Sequence, residues 1–202
     1  MRRKQVYRMT ILTMFICLEC VMMFTPLGYL PLGFVRVTTL HIPVILAGFL
    51  LGKKEGLILG TVFGISSVIT NTITPTVTSF VFSPFYAVGE ISGNFNSLII
   101  ALVPRMLLGY VSGLVIECVP KKKRSVVIYA IVACMMSFVH SILVLSGIYF
   151  FFGEAYAQAK GVSFDALFGL LYSIVFTNSI IEALLAAVVC SSVAVAVDKI
   201  RR

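Results

Sequence analysis

Apolar residues in this sequence fall in long runs that are separated by short polar or charged segments. At about 20 residues per membrane crossing, the runs predict helices at residues 6–25, 39–51, 56–70, 97–119, 125–152 and 168–197. The second and third runs are short and form a predicted helical hairpin. We expect this hairpin to be tilted, sheltered by its neighbours, or broken near its outer ends. The predicted fold is an all-α bundle of six transmembrane helices, forming one domain over residues 1–202.

The composition supports an integral membrane protein. Of the 202 residues, 59% are hydrophobic and the mean hydropathy is +1.05, which exceeds the apolar content of ordinary soluble domains. The first apolar run lacks the small-residue cleavage site of a signal peptide, so we expect it to be retained as a helix.

Basic residues cluster at alternate ends of the predicted helices. Of the 16 lysines and arginines, 13 lie on one side of a six-helix arrangement. By the positive-inside rule this side is cytoplasmic, so both termini are expected inside and segments 26–38, 72–96 and 153–167 outside. The net charge of +8 therefore indicates membrane orientation rather than a nucleic-acid partner. The 13 residues are Arg2, Arg3, Lys4, Arg8, Lys53, Lys54, Lys121, Lys122, Lys123, Arg124, Lys199, Arg201 and Arg202.

Glycines recur every four residues from Gly48 to Gly64. In a helix this spacing places Gly56, Gly60 and Gly64 on one face, where another backbone can approach closely. Helix packing is the favoured interpretation of this face, with no direct part in ligand binding. A P-loop is excluded, because the segment from Gly48 to Lys54 is one residue short and has Lys where Ser or Thr would hold magnesium.

The cysteines indicate neither a disulfide framework nor a metal site. They are odd in number, all fall in predicted helices, and none has a metal-ligand spacing to a histidine. We expect them to be packing residues, and we expect no cofactor. They are Cys17, Cys20, Cys118, Cys134 and Cys190.

Residues 71–96 have no helical period, and the part from Asn71 to Phe85 mixes hydroxyl and aromatic side chains. Its apolar content argues against disorder, and long loops without regular structure are usually functional when they are ordered. We expect a folded lid or pocket wall. The alternative is a re-entrant segment that plugs the bundle.

A few polar side chains fall well inside the predicted spans, where they must be paired or line a wet cavity. Arg105 lies about two turns into the fourth helix, roughly 12 Å from its outer end at 1.5 Å per residue. Asn178 and Glu182 are four residues apart and share a face of the last helix, and His140 is central in the fifth. For Arg105, contact with an anionic ligand is favoured over an ion pair with Glu182. For the other three, ligand contact and interhelical hydrogen bonding both stay open.

Short segments in a fixed order carry a family resemblance: TLHIPV at 39–44, FG at 63–64, TSFVFSPF at 78–85, PRMLLG at 104–109, ILVL at 142–145 with GEAY at 153–156, and NSIIE at 178–182. Over nearly its whole length the chain resembles the substrate-binding S components of energy-coupling-factor (ECF) vitamin transporters, nearest the pantothenate-type branch. The resemblance implies a multi-pass protein of a prokaryotic plasma membrane, with no enzymatic activity of its own. Such a protein captures a water-soluble vitamin outside and delivers it by toppling, while a transmembrane coupling subunit and two cytosolic ATPase subunits supply the drive.

The resemblance also implies roles for residues. Arg105 would hold a carboxylate or other anionic group of the ligand. Amide and hydroxyl groups would form hydrogen bonds with its polar remainder. The aromatic residues between Phe80 and Phe85 would close over it. The expected substrate-binding residues are Asn71, Thr78, Asn96, Arg105, His140, Asn178 and Glu182. The expected docking residues for the coupling subunit are Thr13, Cys17, Gly56, Gly60 and Gly64.

Two positions depart from the family pattern. S components often dock through an Ala-x-x-x-Ala face on the first helix, and this helix offers the run from Thr13 to Cys17. Where the pantothenate-type branch tends to have Thr-Asn-Thr, this chain has Val139, His140 and Ser141. Histidine in place of asparagine changes the donors of the pocket and can change the vitamin.

Two other functional classes stay open. An intramembrane serine protease is suggested by Ser66 together with His140, although no partner that would orient the histidine is evident. The other is a self-sufficient secondary transporter or channel subunit, although the sequence shows no internal repeat.

Overall fold

The structure is a computed structural model that describes residues 2–32 and 35–200. Within these ranges, five stretches are long and apolar enough to cross a membrane, and one shorter apolar helix accompanies them. The predicted all-α membrane bundle is confirmed. The helices are α1 (Arg2–Phe24), α2 (His41–Leu51), α3 (Lys53–Ile73), α4 (Phe95–Cys118), α5 (Val126–Lys160), α6 (Phe164–Ile174) and α7 (Ile180–Ile200).

The turn between α2 and α3 consists of one residue, Gly52, whose φ of 107° favours glycine. Lys53 already belongs to α3, so this helix begins three residues earlier than the sequence predicted. Two ion pairs join the turn to neighbouring helices: Arg8 to Glu55 at 2.8 Å and Lys53 to Glu117 at 3.1 Å. Since these side chains are partly exposed to solvent, the pairs orient the helix ends more than they stabilise the fold.

Helices α3 and α4 pack with their backbones in close contact. A Cβ atom added at Gly56 would lie 2.3 Å from the carbonyl oxygen of Gly109, and one at Gly60 would lie 2.2 Å from that of Arg105. Side chains larger than hydrogen are therefore sterically excluded. The predicted glycine face is a packing surface within the chain, and it holds the part of α4 that carries Arg105 against α3.

The outer segments contain short antiparallel hairpins. Strands β1 (Tyr29–Leu32) and β2 (Val35–Thr38) pair so that Tyr29 lies opposite Thr38. The segment after α3 has a 3-10 turn, Ser79–Val81, followed by strands β3 (Ala87–Val88) and β4 (Ile91–Ser92). Residues 71–96, which have no helical period in the sequence, therefore form an ordered segment, as expected.

The predicted end of the fifth helix at residue 152 is wrong. Helix α5 continues to Lys160 through a kink at Phe152, where φ is −135° and ψ is 18°, and it ends at Gly161 in the left-handed conformation. Residues 153–160 stay helical because Tyr156 and Ala157 pack into the core. The last span then begins at Phe164, with a π-helical segment, Val175–Ser179, between α6 and α7.

Buried apolar residues form two clusters. The first joins α2 with residues of α3, α4, α5 and α7, with the Phe49 and Tyr129 ring centroids 5.2 Å apart. The second joins α5, α6 and the 3-10 turn, with Phe80 and Phe152 at 5.8 Å. The candidate site lies against both clusters.

Candidate ligand-binding site

A cavity of about 510 Å³ lies between α2, α3, α4, α5, the α6–α7 span and segment 74–82. This volume is within the range of about 300–1,000 Å³ that is usual for small-molecule sites. The structure brings six of the seven expected substrate-binding residues to its wall: Asn71, Thr78, Arg105, His140, Asn178 and Glu182.

The seventh expected residue, Asn96, is not among the residues that line this cavity. Its backbone N–H donates to Oδ1 of Asn94 at 2.8 Å, and Ser97 completes the capping box at the start of α4. Asn96 therefore belongs to the helix N-terminus rather than to the cavity wall.

Arg105 is the basic residue of the cavity and is only 6% exposed. Its Nη1 donates to the carbonyl oxygen of Ile100. Its Cζ lies 5.5 Å from the ring centroid of Phe63 and 5.2 Å from that of Phe82. Contacts from three segments thus orient a positive charge at the wall of the cavity, where a ligand anion would be attracted.

Glu182 and Asn178 line the cavity from the last span, as their spacing on one helix face predicted. Oε1 of Glu182 accepts a hydrogen bond from the backbone N–H of Thr38 at 2.7 Å, which ties α7 to the end of β2. Asn178 lies in the π-helical segment Val175–Ser179. Such single-turn π segments occur frequently at functional sites.

Two imidazole rings border the cavity. His41, at the start of α2, is 2% exposed, and its Nε2 lies 3.1 Å from Oγ of Ser137. His140 lies on α5 with its ring centroid 6.1 Å from that of Phe63. Within the described residues its Nε2 is buried and has no hydrogen-bond partner. A ligand that filled the cavity could supply that partner.

Asn71 uses its side chain to hold the cavity wall together. Its Nδ2 donates to the carbonyl oxygen of Ser67 at 2.8 Å, and its Oδ1 accepts from Oγ of Ser79 at 2.7 Å. Ser79 also accepts from the backbone N–H of Thr76 at 2.8 Å. The start of the expected lid is therefore fastened to α3 and forms a wall.

The three phenylalanines between 80 and 85 have different environments. Phe80 is fully buried in the core, Phe82 lines the cavity, and Phe85 is 79% exposed. The expectation that the aromatic segment closes over the site thus applies to Phe82 alone.

The family model described as "ECF transporter, substrate-specific component" matches residues 7–194. The chain belongs to this family. It is the substrate-binding subunit of a membrane transporter and not an enzyme. A relative, "Pantothenic acid transporter PanT" of Lactococcus lactis subsp. cremoris (strain MG1363), is 33% identical over 168 residues, which cover 83% of this chain and 80% of the relative.

The residues expected to dock on the coupling subunit have two different environments in this S component. Gly56, Gly60 and Gly64 face α4, since Cβ atoms on them would lie within 2.9 Å of its backbone or side-chain atoms. These three glycines pack against α4 within the chain, and a part in docking stays a prediction. Thr13 and Cys17 are exposed on α1, where a second membrane subunit could contact them.

The family match decides against the serine protease alternative, because the chain belongs to the substrate-specific components of transporters. Oγ of Ser66 donates to the carbonyl oxygen of Phe63 in its own helix at 2.8 Å, and Ser66 is not among the residues lining the cavity.

Within residues 2–32 and 35–200, no group of three or more His, Cys, Asp or Glu side chains could hold a metal ion.

Sequence reasoning missed several lining residues. His41 had a usable signal, because it is an ionisable residue at the edge of an apolar run, the argument that identified Arg105. Phe63 and Ser67 had no such signal, since aromatic and hydroxyl residues are common in packed helices. Their positions become visible only when α3 and segment 74–82 fold around Arg105.

Proposed function

We propose that this S component binds pantothenate. The observation that carries the proposal is the buried guanidinium of Arg105 in a small-molecule cavity that also contains amide, hydroxyl and imidazole groups. Pantothenate has one carboxylate, one amide and two hydroxyl groups, so it presents an anion at one end and hydrogen-bonding groups along the rest. The similarity to the Lactococcus lactis relative, which is named as a pantothenic acid transporter, supports this ligand.

Roles within the site follow from the placement of the side chains. Arg105 holds the carboxylate, because a guanidinium matches it with two parallel hydrogen bonds. His140, Asn178, Glu182 and Thr78 contact the polar remainder. Asn71 contributes by holding the wall, and Asn96 takes no part.

We also propose the family's transport arrangement for this chain. The cavity faces the outside of a prokaryotic plasma membrane, and both termini are cytoplasmic. In support, Lys53 begins α3, whereas Ser67 and Asn71 line the cavity near its other end. A transmembrane coupling subunit and two cytosolic ATPase subunits drive inward delivery by toppling of the S component.

Two measurements test this function together. The purified chain should bind pantothenate in titration calorimetry without ATP. Vesicles that contain the chain alone should not accumulate labelled pantothenate, whereas vesicles that also contain the coupling and ATPase subunits should do so when supplied with ATP. Accumulation by the chain alone would favour a secondary transporter, and no calorimetric binding would exclude pantothenate.

A further inference from the structure

Two aromatic rings contact the Arg105 guanidinium from different parts of the fold. Phe63 belongs to α3 and is 3% exposed. Phe82 follows the 3-10 turn Ser79–Val81 and is partly buried. Both ring centroids lie within 6 Å of Cζ, at 5.5 Å and 5.2 Å. Neither ring carries a polar atom, so these contacts are cation–π interactions.

Aromatic faces and hydrogen-bond acceptors meet different parts of a guanidinium. The N–H donors of arginine lie in the plane of the group, and the flat faces above and below that plane pack on aromatic rings. Ring contacts can therefore fix the orientation of the plane without occupying an in-plane donor. A carboxylate needs this orientation, because it accepts two parallel N–H bonds in that plane.

The segment that carries Phe82 is held in place by hydrogen bonds of neighbouring residues. Ser79 donates to Asn71 at 2.7 Å, and Oγ of Ser97 donates to the carbonyl oxygen of Phe80 at 2.7 Å. The segment is thus fastened to both α3 and α4, and Phe82 stays against Arg105.

We infer that Phe63 and Phe82 are positioning residues that set the charge selectivity of the cavity. They hold the Arg105 guanidinium in the orientation that a ligand carboxylate requires. This inference rests on the proposed function, since it takes pantothenate as the anionic ligand.

The test compares two ligands that differ in one terminal group, which is charged in one and neutral in the other. Calorimetry measures Kd for pantothenate and for its primary alcohol, which has CH2OH in place of the carboxylate. Charge selectivity is the ratio of the Kd of the alcohol to the Kd of pantothenate. Phe82→Leu should lower this ratio by about 5- to 30-fold, as expected for loss of a desolvated cation–π contact. Phe82→Tyr, which keeps the ring, should retain most of the ratio.

The matched control is Phe80→Leu, on the same segment. The Phe80 ring packs on Phe152 at 5.8 Å and does not line the cavity. General loosening of the segment should weaken both ligands alike and leave the ratio unchanged. If Phe82→Leu is not monodisperse, Phe82→Met fills the same space without an aromatic face and is judged by the same criterion.

An unchanged ratio in the folded Phe82 variant, while Arg105→Ala lowers it, would overturn the inference and leave the proposed function standing. Failure of the unmodified protein to bind pantothenate would overturn both.

Discussion

The carboxylate of Glu182 and the backbone N–H of Thr38 are joined by a hydrogen bond of 2.7 Å across 144 residues of sequence. Thr38 ends the β1–β2 hairpin, and Glu182 lines the cavity from α7. One side chain therefore borders the ligand site and also holds the hairpin next to it. A substitution at Glu182 should therefore affect both the ligand site and the β1–β2 hairpin.

Glu182→Ala should loosen the hairpin, because the Thr38 N–H loses its acceptor. An unsatisfied backbone donor costs about 1–3 kcal/mol. Hydrogen–deuterium exchange of the peptide that contains Thr38 should be faster in Glu182→Ala and near normal in Glu182→Gln, whose amide oxygen still accepts. Glu154→Ala, which removes an exposed carboxylate, is the control. Equal exchange in the Ala and Gln variants would contradict this role.

Arg105→Ala should weaken pantothenate binding strongly. Truncating one partner of a buried charge pair costs about 2–5 kcal/mol, or roughly 30-fold to several thousand-fold in Kd. Arg105→Lys should restore only part of this, since an ammonium lacks the planar two-donor geometry. Titration calorimetry on Arg105→Ala, Glu182→Gln and the double variant separates this role from an Arg105–Glu182 ion pair. Near-normal affinity in the double variant would refute the anchor role.

Gly60→Ala should destabilise the fold and reduce binding together. Its Cβ would lie 2.2 Å from the backbone oxygen of Arg105, so α3 and α4 must separate. Overpacking of this kind costs about 1–3 kcal/mol or more. Gly169→Ala is the matched control, because no atom from another part of the fold lies within 4 Å of its Cβ position and alanine favours helix. Thermal unfolding in detergent compares the two, and an unaffected Gly60→Ala protein would disprove the close packing.

Ser79→Ala should weaken the cavity wall. It leaves Oδ1 of Asn71 and the N–H of Thr76 without their partner, and because Asn71 is only partly buried and Thr76 is exposed, the cost is at or below the lower end of the range of about 1–3 kcal/mol for buried groups. We expect faster hydrogen exchange at Thr76 and weaker pantothenate binding. The exposed Ser92→Ala substitution should change neither. Unaltered exchange at Thr76 would show that Ser79 does not hold the wall.

Cys17→Trp should impair uptake with the coupling and ATPase subunits while ligand affinity of the isolated protein stays near normal. Cys17 is exposed on α1, which contributes no residue to the lining of the cavity. Met135→Trp adds similar bulk at a 60% exposed position on α5 and should leave uptake intact. Transport assays in vesicles and calorimetry on the same preparations provide the comparison. Normal uptake by Cys17→Trp would remove this face from the docking surface.

The sequence by itself determined the membrane class, the number of apolar runs and the presence of Arg105 inside one of them. Hydropathy and charge act over a few neighbouring residues, because each apolar run interacts with the bilayer largely on its own. The glycine spacing likewise predicted a packing face, since the helical period alone brings Gly56 and Gly60 together.

Only the tertiary structure decided which residues share the cavity and what each one contacts. The end of α5 depends on Tyr156 packing against the second cluster. Phe80 is buried against Phe152 of α5, whereas Phe82 packs on Arg105 and lines the cavity, and both partners lie more than 20 residues away in sequence. Hydrogen bonds and ring contacts act over a few ångströms, whereas these partners are separated by tens to more than a hundred residues. Local sequence patterns therefore do not predict such pairs, and the site forms only when the helices pack.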